Sequence, residues 1–451
     1  MEIKQYIEKN QDRFFEELFG VLRIPSISPD PTHKDDMRRC AKKIAELIKA
    51  AGADTAEVCE TAGNPVVFAE KKTDPKASTI LVYGHYDVMP VDPVELWKTD
   101  PFEPVIKDGA IWCRGANDDK GQHFMHIKAF EYLVKEGKLR HNVKFLIEGE
   151  EEISSPSLPA WIEANKKRLA CDAILISDTT QKAEDIPTMC TGMRGLCAFE
   201  IDVKGPDVDV HSGHYGGAIY NPVQALCDIL SSLIDKDGHV TVKGFYDAVD
   251  QLSRKDRAML NQLKVDEKEL CASIGIPASK GEKGFNTSER ESIRPCFDIN
   301  GIWGGFTGNG IKTIIPSEAH AKISMRLVPY QDSTKIAKLF EKHIKSIAPK
   351  GVKVTTRLHH GGEAFCTPLG SKEYAAASKA MAKVYGIEPT PYRGGGSITV
   401  IAEAQKILKA TPVLLGFGLE QDCIHSPNEN YKLKQLFRGI ECITEFYNLY
   451  D

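Results

Sequence analysis

Four apolar runs in this 451-residue chain each lead into a residue that can bind a cation or move a proton. Ile80-Leu81-Val82-Tyr83 runs into Gly84-His85-Tyr86-Asp87, and Val143-Lys144-Phe145-Leu146-Ile147 into Glu148-Gly149-Glu150-Glu151-Glu152. Ala173-Ile174-Leu175-Ile176-Ser177 is followed by Asp178, and Val413-Leu414-Leu415 leads to the loop carrying His425. A fifth stretch, Arg114-Gly115-Ala116-Asn117-Asp118-Asp119-Lys120-Gly121, sets Asp118 just ahead of a helix, where the dipole favours a carboxylate. If these groups converge, Asp87, Asp118, Glu151, Glu152 and Asp178 place five like charges in a low-dielectric crevice, which requires compensating cations. Lys120 and Arg114 are one source. Two divalent ions are another, and they also use the histidines. Imidazole and carboxylate ligands without cysteine suit zinc first, with manganese or cobalt as alternatives. Two such ions ~3.5–4 Å apart, bridged by one carboxylate, activate water and polarise a carbonyl, which is hydrolytic chemistry.

Taken singly, each motif has an ordinary structural explanation. A His-x-Asp pair is most often a turn or a satisfied histidine, the glutamate run a solvated helix start, and Asp118-Asp119 an N-cap. His123 and His126, three apart on one helix, have no carboxylate spaced with them and read as helix-surface or core residues. Tyr86 and Trp97 read as packing. The glycine-rich stretches at 304–310 and 394–396 lack the strand–helix setting and lysine of a phosphate loop. The metal reading rests on joint occurrence at successive strand ends, because open parallel sheets bind ligands at the carboxyl ends of their strands.

The elements that must position these residues follow from periodicity. Up to Ile176, apolar runs alternate with helical patterns such as Gln122 to Val134 and Pro159 to Asn165, which implies a mainly parallel sheet covered on both faces. Near Met189 the pattern changes. Leu196 to Val203, Ile311 to Ile315, Ala319 to Leu327 and Val352 to Thr356 read as antiparallel strands, mixed with helices at Pro222 to Leu233, Tyr246 to Leu263 and Ser333 to Ile347. The segment from Cys271 to Glu291 is polar, with no assigned element. From Ser371 the α/β rhythm returns. The expected fold is therefore α/β, a catalytic domain of residues 1–188 and 367–451 interrupted by an α+β domain of residues 189–366.

Composition narrows the class. With 42% apolar and 27% charged residues, the chain is neither disordered nor fibrous. Its net charge of −5, without a basic block, argues against nucleic acid or an anionic membrane as partner. No apolar run approaches ~18 residues, and no signal-peptide core opens the chain. Twelve scattered cysteines without a CxxC pair read as reduced thiols, so a cytoplasmic location is expected.

The motifs together resemble the co-catalytic di-zinc aminoacylase, carboxypeptidase G and carnosine dipeptidase family, nearest the cytosolic non-specific dipeptidase branch. Gly84-His85-Tyr86-Asp87-Val88, Gly115 to Gly121, Glu148 to Glu152, Ser177-Asp178-Thr179 and His425-Ser426 carry the resemblance, which runs almost end to end. It implies that His85 and Asp178 hold one metal, that Glu152 and His425 hold the other, and that Asp118 bridges them, followed by a cis peptide. Asp87 then orients His85, and Glu151 is the general base. Asp209-Val210-His211-Ser212-Gly213 and Ser324-Met325-Arg326-Leu327 resemble the dipeptidase branch's inserted domain. They imply a lid that also forms a homodimer, with His211 serving the partner's oxyanion and Arg326 clamping a substrate carboxylate. Gly396 and Ser397 would also touch substrate. Two departures stand out: Gly394 replaces an acid of the carnosinase relatives, and His214 adds a second imidazole beside His211. The expected activity is metal-dependent hydrolysis of dipeptides with a free C-terminal carboxylate. The alternatives are an N-acyl-amino-acid amidohydrolase on the same scaffold and, more remotely, an inactive metal-binding protein.

Overall fold

The apolar runs form the centre of a six-stranded sheet. Its strands are Thr55–Cys59 (β1), Val66–Lys71 (β2), Thr79–His85 (β3), Asn142–Glu148 (β4), Ala173–Ile176 (β5) and Thr411–Leu414 (β6), in the order β1-β2-β4-β3-β5-β6. The last four pair in parallel, and β1 and β2 add an antiparallel edge. The parallel strands are buried nearly end to end, so both faces are apolar and no alternation shows in their sequence. β1 was not expected, because Thr55-Ala56-Glu57-Val58-Cys59 is a half-exposed edge with no apolar run. Register sets the site: His85 pairs with Glu148, and both Tyr83 and Leu414 pair with Ile176. The carboxyl ends of neighbouring strands therefore finish level.

The computed structural model describes residues 1–451, the side chain of Thr399 excepted. They group into two compact units, one of Met1–Thr191, Cys366–Tyr392 and Glu403–Asp451, the other of Gly192–Phe365 and Arg393–Ala402. The larger unit carries the six-stranded sheet and the helices Ile3–Leu22 (α1), Lys34–Ala50 (α2), Lys120–Lys135 (α3), Lys372–Tyr385 (α4) and Leu433–Leu449 (α5). α2 covers β1 and β2, while α3 lies against β3, α1 and α5. α3 is buried from Lys120 to Leu133 despite its polar residues, so each must find a partner. Lys128 pairs with Glu17 and Glu131, and Glu131 also accepts from Arg13 and from the Tyr6 hydroxyl at 2.6 Å. His123 and His126 are core residues, and His126 Nε2 meets Ser177 Oγ at 2.7 Å. Among the described residues none of the twelve cysteines is in a disulfide bond. Among the described residues no helix is long and apolar enough to cross a membrane.

The smaller unit is an antiparallel sheet in the order Cys296–Gly304, Glu318–Leu327, Gly195–Lys204, Lys353–Gly362. Its alternating inner residues, Phe199, Ile201, Val203, Ala321, Ile323 and Met325, pack with the helices Pro222–Ser232 and Ser333–Ile347. Three expectations are corrected here. The helix expected over Tyr246 to Leu263 is only Arg254–Leu260, because the Ser253 side chain caps it by accepting from the Asp256 N–H. The strand expected from Ile311 is only Ile314–Ile315, since Ile311 is 95% exposed. The polar stretch after Cys271 holds a helix start, Thr287–Ser292, closed by a capping box between Asn286 and Glu289. The smaller unit's main segment runs from Gly192 to Phe365, close to the expected limits, and a second segment joins it. Arg393–Ala402 groups with the smaller unit, because Gly395 O accepts from Arg194 and Ser397 Oγ from Arg326.

Burial alone raises a carboxyl pKa, but the hydrogen bond from Arg13 and the charge of Lys128 hold Glu131 well below the ordinary glutamate range. A depressed folded-state pKa contributes stability that is present above the unfolded value of about 4.3 and is lost as pH falls below it. Glu131→Gln is therefore expected to lower Tm at neutral pH, with a deficit that shrinks as pH drops below about 4.3. Thermal melts of both proteins across that range test this; a deficit independent of pH counts against it.

Candidate metal centre

His85 ends β3 and is wholly buried. Its Nε2 lies 2.9 Å from Asp118 Oδ1 and 3.9 Å from Asp178 Oδ2. On the other side of the ring, Nδ1 is 3.1 Å from the Asp87 carbonyl and 3.3 Å from its carboxylate. Asp87 is itself fixed: Oδ2 accepts from Ser28 Oγ at 2.6 Å and from Glu152 N at 3.0 Å, and Oδ1 from Glu151 N at 3.2 Å. One buried carboxylate thus ties the imidazole to the backbone of the glutamate run. Across the site, His425 Nε2 is 2.9 Å from Asp118 Oδ2 and 3.1 Å from Glu152 Oε2. Asp118 therefore gives one oxygen to each histidine. The peptide that follows it, Asp118–Asp119, is cis.

Two sets of possible metal ligands result: His85, Asp118 and Asp178, and Asp118, Glu152 and His425. The close pairs are spaced as two ligands on one ion with bonds of about 2.0–2.2 Å are. Electrostatics supports the fit. Burial and the charge of Asp118 push Asp178 up to about 7, and burial raises Glu152 and, against the pull of His85, Glu151. Hydrogen bonds to Asp118 and Glu152 push His425 up to about 10. Asp118 stays well below the ordinary range in spite of burial, because His425 and His85 donate to it. Crowded carboxyls that burial pushes toward their neutral form are ones that bound cations would hold as anions.

The cationic side chains near the motif do not supply the compensation. Lys120 Nζ donates to Ile24 O at 2.7 Å, and Arg114 Nη1 to Glu429 Oε2 at 2.8 Å while its guanidinium lies over Trp97. Among the described residues no lysine or arginine pairs with Asp118, Glu151, Glu152 or Asp178. The glutamate run divides its labour. Glu148 is buried, accepts from Tyr83 and Ser155, and is pushed up to about 8 by burial and Asp87. Glu150 is buried and accepts from Asn64 N and Ser157 N. Glu151 and Glu152 are left for the site.

Sequence reasoning missed the supports of the Asp118 loop. Glu429 is fully buried and accepts from Gly115 N at 2.9 Å, Asn117 N at 2.9 Å and Asp118 N at 3.1 Å. Asp422 accepts from Asn117 Nδ2 at 2.7 Å, and Gln122 bridges Asn117 to the Phe417 N–H. No spacing signal marks these pairs, because Glu429 lies 311 to 315 residues from its partners.

In the smaller unit, Arg326 Nη1 donates to Ser397 Oγ at 2.9 Å, and Gly396 is exposed with open space about its Cα. A Cβ at Gly394 would press on Met193 at 3.3 Å. His211 is exposed and its Nδ1 accepts from Gly213 N at 3.0 Å, so a neutral ring carries its hydrogen on Nε2. Its ring stacks on His214 with centroids 4.6 Å apart.

Residues 81–448 match the model of peptidase family M20/M25/M40. The chain belongs to that family, and it is a peptidase. It is 31% identical to human Beta-Ala-His dipeptidase over 98% of this chain and 91% of that one. It is 30% identical to the Cys-Gly metallodipeptidase DUG1 of Saccharomyces cerevisiae, over 99% and 97% respectively. Among solved structures, the M20 family metallo-carboxypeptidase Sso-CP2 of Sulfolobus solfataricus superposes with a TM-score of 0.81 at 32% identity, covering 97% of this chain and 99% of that one. The M20 fold accounts for the mostly parallel central sheet; the human relative is named a dipeptidase, the yeast one a metallodipeptidase and the archaeal one a metallo-carboxypeptidase.

The loop carrying Asp118 has no slack. A Cβ on Gly121 would lie 1.8 Å from the Ala116 carbonyl oxygen and 3.0 Å from the Tyr431 ring. Gly121→Ala must open the loop, and is expected to cost about 1–3 kcal/mol, as overpacking does. A Tm indistinguishable from wild type would show that the loop yields freely.

Proposed function

We propose that this peptidase hydrolyses dipeptides with a free C-terminal carboxylate, using two divalent cations, zinc in preference to manganese or cobalt. The observation that carries the reading is Asp118, whose two oxygens face histidines from different elements with no lysine or arginine to balance the surrounding carboxylates. His85, Asp118 and Asp178 would hold one ion, and Asp118, Glu152 and His425 the other. Bound there, the pair would acidify a water and polarise the scissile carbonyl.

The protein's own groups do the rest. Asp87 accepts from His85 Nδ1 and so presents Nε2 toward the site. Glu151 has no place in either ligand set, which leaves its carboxylate available to take a proton from water and pass it to the leaving amine. In the smaller unit, Arg326 offers a guanidinium fork to the substrate carboxylate, steadied by Ser397, with the Gly396 backbone beside it. His211 would donate from Nε2 to the oxyanion of a second subunit's substrate. That role requires a homodimer through the smaller unit, which the exposed Ile302, Trp303, Phe306 and Ile311 support. A cytoplasmic location fits twelve cysteines without a disulfide among the described residues.

Metal-free protein reloaded separately with zinc, manganese or cobalt is expected to cleave an α-dipeptide faster than the corresponding N-acetyl amino acid. The reverse preference would assign the chain to acyl removal instead, and silence on both with metal bound would overturn hydrolysis. Glu151→Gln is expected to retain both metals and lose about 10²–10⁴-fold in kcat, the usual contribution of a positioned base. Near-wild-type turnover in that variant would remove Glu151 from the base role.

A further inference from the structure

We infer that Glu429 is the positioning residue that sets the bridging carboxylate and the His425 loop against each other, and so determines how tightly the second cation is held. The inference rests on the two-cation reading above. His85, Asp178 and Glu152 inherit their positions from the sheet: they lie at, or within four residues of, the ends of β3, β5 and β4. Asp118 and His425 lie on loops and have no such support. The His425 loop is also locally strained, since Cys423, His425 and Asn428 are non-glycine residues with φ of 56°, 61° and 70°. Such a loop keeps its shape only when anchors outside it over-determine the backbone.

Three anchors are present. Asp422 accepts from Leu419 N at 2.9 Å, Asn428 Oδ1 accepts from Lys98 N at 2.8 Å, and Glu429 closes the far end. Only Glu429 reaches the backbone that carries Asp118. Oε1 accepts from Asn117 N and Asp118 N, and Oε2 from Gly115 N and Arg114 Nη1, so both oxygens are fully used. Three of these donors are backbone groups within four residues of Asp118. The carboxylate sits four residues beyond His425. Within the Asp118 loop, Asp422 reaches only the Asn117 side chain, so Glu429 is the group that ties the backbone of Asp118 to the His425 loop, with Asp118 Oδ2 and His425 Nε2 2.9 Å apart.

The acid cannot be exchanged for its amide. In Glu429→Gln, either orientation of the side chain turns an NH₂ toward backbone N–H groups, because no oxygen of the acid is spare. The charge that balances buried Arg114 is lost as well. Shortening by one methylene in Glu429→Asp keeps the charge but withdraws it from one loop or the other. The consequence falls unequally on the two cations. His85 and Asp178 still converge with Asp118 when the His425 loop shifts, whereas the Asp118, Glu152, His425 set does not.

The test is calorimetric titration of metal-free wild type, Glu429→Gln and Glu429→Asp with Zn²⁺, with Glu131→Gln as a buried-charge control remote from the site. Wild type is expected to take two equivalents. Both Glu429 variants are expected to keep one and to bind the other about 10–100-fold more weakly, the usual effect of removing a ligand's hydrogen-bonded support. Glu131→Gln is expected to lower Tm with both affinities unchanged. Two equivalents at wild-type affinity in either folded Glu429 variant would overturn the inference and leave the metal reading intact. Equal weakening of both sites would overturn it too, as would the same weakening in Glu131→Gln. If wild type takes up no Zn²⁺, the metal reading itself fails.

Discussion

Asp118 faces an imidazole on each side, and three further carboxylates stand near it with no lysine or arginine among them. Bringing like charges this close in a dry crevice is unfavourable by itself, and the protein does it at the one place where several strands stop at the same level. The rest of the larger unit follows from that constraint. The strands must be buried on both faces to hold the register, so helices must cover both sides. One of those helices, α3, is buried along most of its length although it carries Lys128 and Glu131. Its buried charges are then balanced by α1, a whole helix away from any chemistry.

Nearby acids serve opposite ends according to what meets them. Glu148 and Glu150 are only two residues apart, yet one is held by hydroxyls and the other by backbone N–H groups, and both are structural. Glu152 meets an imidazole, and Glu151 keeps its carboxyl without a partner in either ligand set. Asp87 looks like a ligand by spacing, but it points at the far nitrogen of His85 and at backbone donors. Chemical identity alone does not assign these roles. Geometry and the available hydrogen bonds do.

What the sequence made legible follows the same logic. Strands buried on both faces advertise themselves as apolar runs, so β3 to β6 and the residues that end them could be read directly. The sorting of ligands from base came from family resemblance, since residue type and spacing leave Glu148, Glu150, Glu151 and Glu152 equivalent. β1 was hidden because an exposed edge strand needs no apolar run. The helix over Tyr246 to Leu263 was overextended because Phe245 and Val249 are buried by a turn, and apolar spacing does not distinguish the two. Arg393–Ala402 groups with the smaller unit through partners 201 and 71 residues away in the chain, which its own composition does not reveal. Glu429 was invisible for the same reason.

The long reach of Glu429 also bears on how the chain is made. Synthesis runs from the amino end, so the sheet strands β1 to β5 and the loop through Asp118 emerge long before residues 422–430. Until those last residues arrive, the N–H groups of Gly115, Asn117 and Asp118 lack their acceptor and Arg114 lacks its counter-charge. A chain that stops short of residue 422 therefore lacks both His425 and the acceptor of the Asp118 loop. In order of synthesis the residues that join the Asp118 loop to His425 come after every strand of the six-stranded sheet.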